Sequence, residues 1–207
     1  MIEELDLLKK DWKKNENSFE QVSEVDIYKM LHKKSSSIVK WILIISILEV
    51  LLWTAISVFY NSDEYLIKTH HENLISYFKY LNIFNYAIIA VFIFFFYKNY
   101  KAISTITSTK QLMKDILKTR KTVKYYVGYN LVMIAVTMII GFVLVFTTDP
   151  KMHQLSSNGK SLLILTTVCL LAIVIFVGVF WLFYQLIYGI LLRKLFRNYK
   201  ELKKIDL

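Results

Sequence analysis

Glu49 is the residue whose position most strongly suggests chemistry, because it is the only acid or base inside the four long apolar stretches of this chain. A charged side chain near the middle of a bilayer costs ~2.5–3.5 kcal/mol on insertion scales, so we expect Glu49 to be neutral or paired. A carboxyl group in that setting can exchange a proton or hold a cation, and it can equally join neighbouring helices by hydrogen bonds.

Polar side chains on the helical face of Glu49 predict a polar seam inside the membrane. Ser46 and Ser57 lie on that face, and the later apolar stretches carry comparable side chains, which commonly hold membrane helices together. One interpretation is structural: protonated Glu49 donates a hydrogen bond that holds spans one and three together. The other interpretation is a proton or cation site. The predicted seam consists of Ser46, Glu49, Ser57, Asn130, Thr137 and Gln185.

A lone glutamate in the first of four spans is similar to the small multidrug-resistance transporters, in which it exchanges protons for cationic drugs. The resemblance is confined to Glu49 in its span, and it implies a proton-coupled role for that residue. Those proteins are about half as long and have very short loops. Transporter spans are often broken by Gly and Pro, whereas the only Pro here, Pro150, lies between spans.

The four apolar stretches predict an all-α polytopic membrane protein, a four-transmembrane-helix bundle with a cytoplasmic N-terminal helical arm and helical extensions. Each stretch can cross a bilayer, which takes about 20 apolar residues in a helix. The predicted parts are an amphipathic arm (1–37), a transmembrane domain (38–192) with a connection at 98–125, and a basic tail (193–207). The spans are predicted at about 41–60, 80–97, 126–147 and 161–192.

The basic residues predict the orientation of these spans. Of the 26 Lys and Arg, 22 lie before the first stretch, between the second and third, or after the fourth. Loops rich in Lys and Arg stay in the cytoplasm, so both termini and the middle connection should be cytoplasmic. Lys-, Ile- and Asn-rich usage suggests a bacterial protein, hence the inner membrane. Aromatic residues at the span ends are predicted interface anchors, among them Trp41, Tyr97, Tyr125, Tyr126 and Tyr188.

Two cytoplasmic segments have patterns that predict contacts. Leu5, Leu8 and Trp12 recur at helical spacing in a segment, residues 1–40, that balances eight acids with eight Lys. This balance favours an arm that docks a protein partner, although folding back on the chain itself is an equal alternative. The tail is basic, and we expect its Arg193, Lys194 and Arg197 to contact anionic phospholipid headgroups.

The starts of two cytoplasmic helices are also predicted. Ser23 with Asp26 marks the start of a helix that runs toward span one. Ser108 with Gln111 resembles a capping box at the start of a helix that continues into span three.

Several function classes find no support in the sequence. Four His and one Cys, Cys169 within an apolar stretch, do not form a metal-ligand pattern, and no nucleophile triad or Gly-rich phosphate loop is present. We therefore predict no enzyme activity, no cofactor and no metal. The net charge of +10 follows from the basic cytoplasmic loops, so nucleic-acid binding is not indicated.

The order of motifs resembles an uncharacterised family of bacterial four-span inner-membrane proteins. Some members are encoded beside extracytoplasmic-function sigma factors, and some are labelled as carotene oxygenases. The resemblance implies a regulatory or accessory role. It rests on LDLLKKDW, KMLHKKSS, STKQLMKDILKTRKTVKYYVGYN and RNYKELKK, taken in that order along the chain.

The leading hypothesis is a non-enzymatic membrane protein that presents cytoplasmic helices to a protein partner, in a regulatory role in envelope signalling. The alternative is a small proton-coupled transporter or channel that uses Glu49. It would work as a homodimer, because four helices enclose little space.

Overall fold

The computed structural model describes residues 9–10, 23–59, 67, 72–106, 108–156 and 158–205. Within these ranges 97% of the residues are helical and there is no strand, which confirms the all-α prediction. The helices that form the fold are α1 (Glu24–Phe59), α2 (Glu72–Thr105), α3 (Thr109–Thr148), α4 (Pro150–Ser156) and α5 (Gly159–Ile205).

Four of these helices continue well beyond the predicted spans. At 1.5 Å per residue, the 47 residues of α5 extend about 70 Å, more than twice the ~30 Å of a bilayer core. As predicted, α3 runs without a break from Thr109 through span three. The short helix α4 was not predicted from the sequence.

Local signals explain where the helices begin. The backbone N–H of Asp26 donates to the hydroxyl of Ser23 at 3.2 Å, so the predicted cap of α1 is confirmed. Ser108 occupies the predicted N-cap position of α3, but its side chain makes no capping hydrogen bond. The predicted capping box is wrong, because the side chain of Gln111 does not reach back to Ser108. It donates instead along the helix to Asp115, at 3.3 Å.

The four long helices form an up-and-down bundle in the cyclic order α1, α2, α3, α5. Each packs against its two neighbours, and α1 also contacts α3 across the bundle. Side chains from the start of α1, the end of α2, the start of α3 and the end of α5 meet in one core. Neighbouring helices are therefore antiparallel. That core contains Leu31, Val39, Ile103, Leu112, Ile116, Leu195 and Leu202.

This first core lies outside the apolar spans, and we call the region around it the extension bundle. The extension bundle comprises residues 24–40, 98–106, 108–124 and 193–205. A second core lies at the adjoining ends of the spans and includes Ile42, Phe96, Val123, Tyr126, Tyr184 and Tyr188.

Beyond these cores the spans carry large apolar side chains on their outer surface. Their exposure would be costly in water and is expected in lipid. The four long helices are long and apolar enough to cross a membrane, so the protein is a multi-pass membrane protein. Examples of the exposed side chains are Leu51, Ile83, Phe84, Val132, Leu163, Leu171, Val174 and Ile175.

Candidate functional site: a glutamate held by three tyrosines

Glu49 lies where α1 packs against α3 and α5, and three tyrosine side chains converge on its carboxyl group. Tyr126 comes from α3, and Tyr184 and Tyr188 come from α5. The two residues on α5 are four positions apart, which places them on one face of the helix.

Both oxygens of the Glu49 carboxyl group accept hydrogen bonds. The hydroxyls of Tyr126 and Tyr188 donate to Oε2 at 2.9 Å and 3.0 Å. The hydroxyl of Tyr184 donates to Oε1. The cluster therefore joins spans one, three and four, whereas the sequence predicted a link between spans one and three with Glu49 as donor.

Aromatic packing fixes the rings that carry these hydroxyls. The ring of Tyr126 makes edge-to-face contacts with Phe96 at 5.4 Å, Phe92 at 5.5 Å and Tyr188 at 5.9 Å between centroids. Such pairs add to the stabilisation from burial alone. Tyr126 and Tyr188 are only 1% and 2% exposed. The structure thus corrects their predicted role as interface anchors: both point into the bundle, where their hydroxyls meet Glu49.

The three tyrosine hydroxyls satisfy both oxygens of the Glu49 carboxyl group inside the bundle. They take the place of the water that a carboxyl group would lose on entering the bundle. The chemistry that follows most directly is a non-covalent link between three helices.

The predicted polar seam is only partly brought together. Ser46 is buried on the face of Glu49, and its hydroxyl donates to the carbonyl of Leu43 at 2.8 Å. The side chain of Asn130 donates to the backbone carbonyl of Tyr126, a member of the cluster, at 2.9 Å. The other three predicted members, Ser57, Thr137 and Gln185, are exposed on the outside of the bundle.

The remaining predicted site residues fall into two groups. Leu5, Leu8 and Trp12 of the arm lie outside the described residues. Arg193, Lys194 and Arg197 lie on the exposed surface of α5 in the extension bundle, and Nε of Arg193 donates to the carbonyl of Gly189 at 3.3 Å. In the part of the chain that the structure describes, no three His, Cys, Asp or Glu side chains are grouped as metal ligands would be.

Polar contacts also connect the helices of the extension bundle. The hydroxyl of Tyr28 donates to the carbonyl of Ile106 at 3.1 Å, and Nε2 of His32 lies 2.6 Å from the carbonyl oxygen of Ile103. Both contacts join α1 to the end of α2. They limit sliding of one helix along the other.

Fold and site together define a four-helix multi-pass membrane protein with an intramembrane glutamate–tyrosine cluster and a helical bundle outside the spans. The chain belongs to the family described as Domain of unknown function (DUF8845), whose sequence profile matches residues 25–207. No curated protein and no solved structure matches the chain. The family match covers nearly all of the extension bundle and all four spans, and it leaves out residues 1–24, which include Leu5, Leu8 and Trp12.

Proposed function

We propose that this chain is a non-enzymatic protein of the bacterial inner membrane, with a regulatory or accessory role, that presents the extension bundle to a protein partner in the cytoplasm. The observation that carries the proposal is the continuation of all four spans into a bundle with its own buried core. A membrane anchor alone needs no such core.

The contacts inside the extension bundle support a fixed surface. Besides its apolar core, the bundle buries polar residues at helix contacts, which specify how the helices pair. A surface that is already ordered loses less conformational entropy when a partner docks, so recognition of a partner is favoured. The buried polar residues are Ser35, Asn99, Asp115, Thr119 and Asn198.

The charge of this surface indicates the chemistry of the partner. The extension bundle contains 18 Lys and Arg but only four Asp and Glu. An acidic protein surface would be attracted to it, and electrostatic complementarity chiefly increases the association rate and the specificity. Envelope signalling, in which membrane proteins control cytoplasmic regulators, is a setting that fits this role and the resemblance in motif order.

The family match supports placing the main interaction on the bundle. It starts at residue 25, so the domain that family members share includes the extension bundle. The arm, with Leu5, Leu8 and Trp12, is then an additional docking element of this chain.

Crosslinking and affinity recovery from cells would test the proposal. The full-length chain should recover a protein partner, and reversal of two exposed charges on α3, Lys114→Glu with Lys118→Glu, should abolish recovery. The matched control is Lys151→Glu with Lys160→Glu, which reverses two exposed charges outside the extension bundle. Equal recovery by both double variants would contradict the proposal. Deletion of residues 1–22 then measures what the arm contributes.

A small proton-coupled transporter or channel is the second candidate function, and Glu49 is the observation that favours it, since intramembrane acids commonly mark ion pathways. The saturation of both carboxyl oxygens by tyrosine hydroxyls favours the structural role instead. Glu49→Gln distinguishes the two candidate functions, because it keeps the shape of the side chain and removes the carboxyl proton. If the chain is a transporter, proton-coupled transport should be lost. If it presents a surface to a partner, recovery of the partner should persist.

A further inference from the structure

A groove opens between α1 and α2 directly beside the start of span one. Two lysines and two serines of α1, namely Lys33, Ser36, Ser37 and Lys40, line it together with His32 and with Tyr100 of α2. Residues 36 and 37 are each three or four positions from both residue 33 and residue 40, so the four lie on one face of the helix. None of the six described residues that line the groove is acidic.

The two serine hydroxyls in this groove have no hydrogen-bond partner among the described residues. Some other hydroxyls of the long helices donate to a carbonyl three or four residues earlier, as those of Ser46 and Ser104 do at 2.8 Å and 2.9 Å. Ser36 and Ser37 make no such bond, so their hydroxyls are available to a ligand. The neighbouring Ser35 is different, because it is buried and contacts α5.

The lysines that flank the serines are also available. Lys33 and Lys40 are exposed. Within the described ranges the only ion pair joins Lys29 to Asp26, outside the groove. Two ammonium groups and two hydroxyls along about two helical turns form a set of hydrogen-bond donors that matches the oxygens of a phosphate group.

The position of the groove relative to the membrane identifies the source of that phosphate. Span one begins at Trp41, whose side chain is 55% exposed. At 1.5 Å per residue, Lys40, Ser37 and Ser36 lie only about 2–8 Å beyond Trp41 along α1. Lipid headgroups occupy about 5–8 Å on each side of the hydrocarbon core, so the groove is level with them.

We propose that this groove binds the phosphate of an anionic phospholipid headgroup. Ser36 and Ser37 donate hydrogen bonds to phosphate oxygens, and the ammonium groups of Lys33 and Lys40 balance the charge. Tyr100 forms the wall on α2, and His32 is held against α2 by its 2.6 Å contact with the carbonyl of Ile103. The site does not include the basic residues Arg193, Lys194 and Arg197 of α5.

Binding of short-chain phosphatidylglycerol to the full chain in neutral detergent micelles, measured by native mass spectrometry or thermophoresis, tests the proposal. Because Ser36→Ala with Ser37→Ala changes no charge, it distinguishes a built site from general attraction. Loss of the hydroxyl bonds to a charged group should weaken binding about tenfold or more. Lys40→Gln should weaken binding similarly, whereas Lys34→Gln, an exposed lysine outside the groove, should change it less than about twofold.

The proposal is overturned if the double serine variant binds the lipid as tightly as the original chain, or if the two lysine variants lose affinity equally. A competition arm separates lipid from soluble phosphate: inorganic phosphate at millimolar concentration should not displace the lipid. Displacement would overturn the lipid as the source of the phosphate. The serine variants should fold, because Ala is the most favourable residue in a helix, and circular dichroism checks this.

Discussion

The side-chain amide of Asn198 donates a hydrogen bond of 3.0 Å to the hydroxyl of Ser35, and this contact joins the end of α5 to the start of α1. The two residues are 163 positions apart in the chain and are 4% and 0% exposed. A buried polar pair of this kind is satisfied in one helix register only, so it specifies how α1 and α5 meet in the extension bundle.

Replacement of Asn198 by Ala should therefore destabilise the extension bundle. The change removes the donor and leaves the hydroxyl of Ser35 buried, which costs about 1–3 kcal/mol in the free energy of unfolding. Thermal melting of the purified chain in detergent would measure the effect. Ser104→Ala is the control, because Ser104 is only half-buried and is bonded within its own helix. Equal effects of the two substitutions would contradict the specific role of Asn198.

The glutamate–tyrosine cluster makes a second prediction about stability. Tyr126→Phe keeps the ring and removes one hydroxyl donor to Glu49, so we expect the free energy of unfolding to fall by about 1–3 kcal/mol, because a buried acceptor loses a hydrogen bond. In a Glu49→Gln background the same change should cost less, because an amide has one acceptor oxygen and cannot accept all three hydroxyls. Unfolding by sodium dodecyl sulfate would measure the cost of Tyr126→Phe in both backgrounds.

Tyr125→Phe is the matched control, since the neighbouring Tyr125 is 60% exposed and the change should cost little. If Tyr126→Phe costs the same with Glu49 and with Glu49→Gln, the two residues are not coupled and the prediction is contradicted.

Local sequence signals predicted the elements of the fold well, because they depend on short-range physics. The apolar runs predicted four long helices, and the start of α1 followed from the hydroxyl of Ser23 near the backbone of Asp26. The site was harder to predict. A tyrosine at the end of an apolar run can lie exposed on the outside of the bundle, as Tyr125 does, or point into the bundle interior, as Tyr126 does. Only the packing of α3 against α1 and α5 decides between them.

The packing of the helices also decided which members of the predicted seam lie inside the bundle. Thr137 and Gln185 share the polar character of Asn130, but their helical phase places them outside the bundle. Thr137 satisfies its hydroxyl within its own helix, by a 2.8 Å bond to the carbonyl of Met133. A sequence reading could have noted that Tyr184 and Tyr188 share one face of α5, and that both could reach a carboxyl group on another span.

A third prediction concerns Arg120 and Phe196, which pack where α3 meets α5. The guanidinium carbon of Arg120 lies 3.9 Å from the ring centroid of Phe196. The buried Nε of Arg120 has no hydrogen-bond partner among the described residues. The ring is therefore the main partner of this cation. Arg120→Gln should lower the free energy of unfolding by about 0.5–2 kcal/mol. In a Phe196→Leu background, Arg120→Gln should cause little further decrease in the free energy of unfolding, because the ring is already gone. The control is Lys118→Gln, an exposed position on the same helix, which should have little effect in either background.

A fourth prediction is a pH effect at the start of α1. The hydrogen bond from the hydroxyl of Ser23 and the nearby ammonium of Lys29 lower the pKa of Asp26. Because the pKa is lower in the folded state, ionised Asp26 favours the helix above about pH 4, and this contribution is lost as the pH falls through the folded value. Ser23→Ala should raise the pKa of Asp26 toward its ordinary value. Carboxyl-carbon NMR titration of the chain would measure the shift, with Lys34→Gln as control; an unchanged pKa in Ser23→Ala would contradict the assignment.

A fifth prediction concerns the side of the membrane that the extension bundle faces. Because neighbouring spans are antiparallel, the side found for one end of the bundle determines the direction of every span. Leu31, Ile103, Leu112 and Leu202 meet in one core, so neighbouring long helices run in opposite directions, and the start of α1 and the end of α5 lie at the same end of the bundle. Since the extension bundle at that end contains 18 of the 26 Lys and Arg, it should face the cytoplasm. A reporter that works only outside the cytoplasm should be active when fused after Asp63 and inactive when fused after Leu207. A fluorescent reporter that folds only in the cytoplasm should give the opposite pair of results at these two positions. Activity of the first reporter after Leu207 would invert the topology and place the extension bundle, with its proposed partner surface, outside the cell membrane.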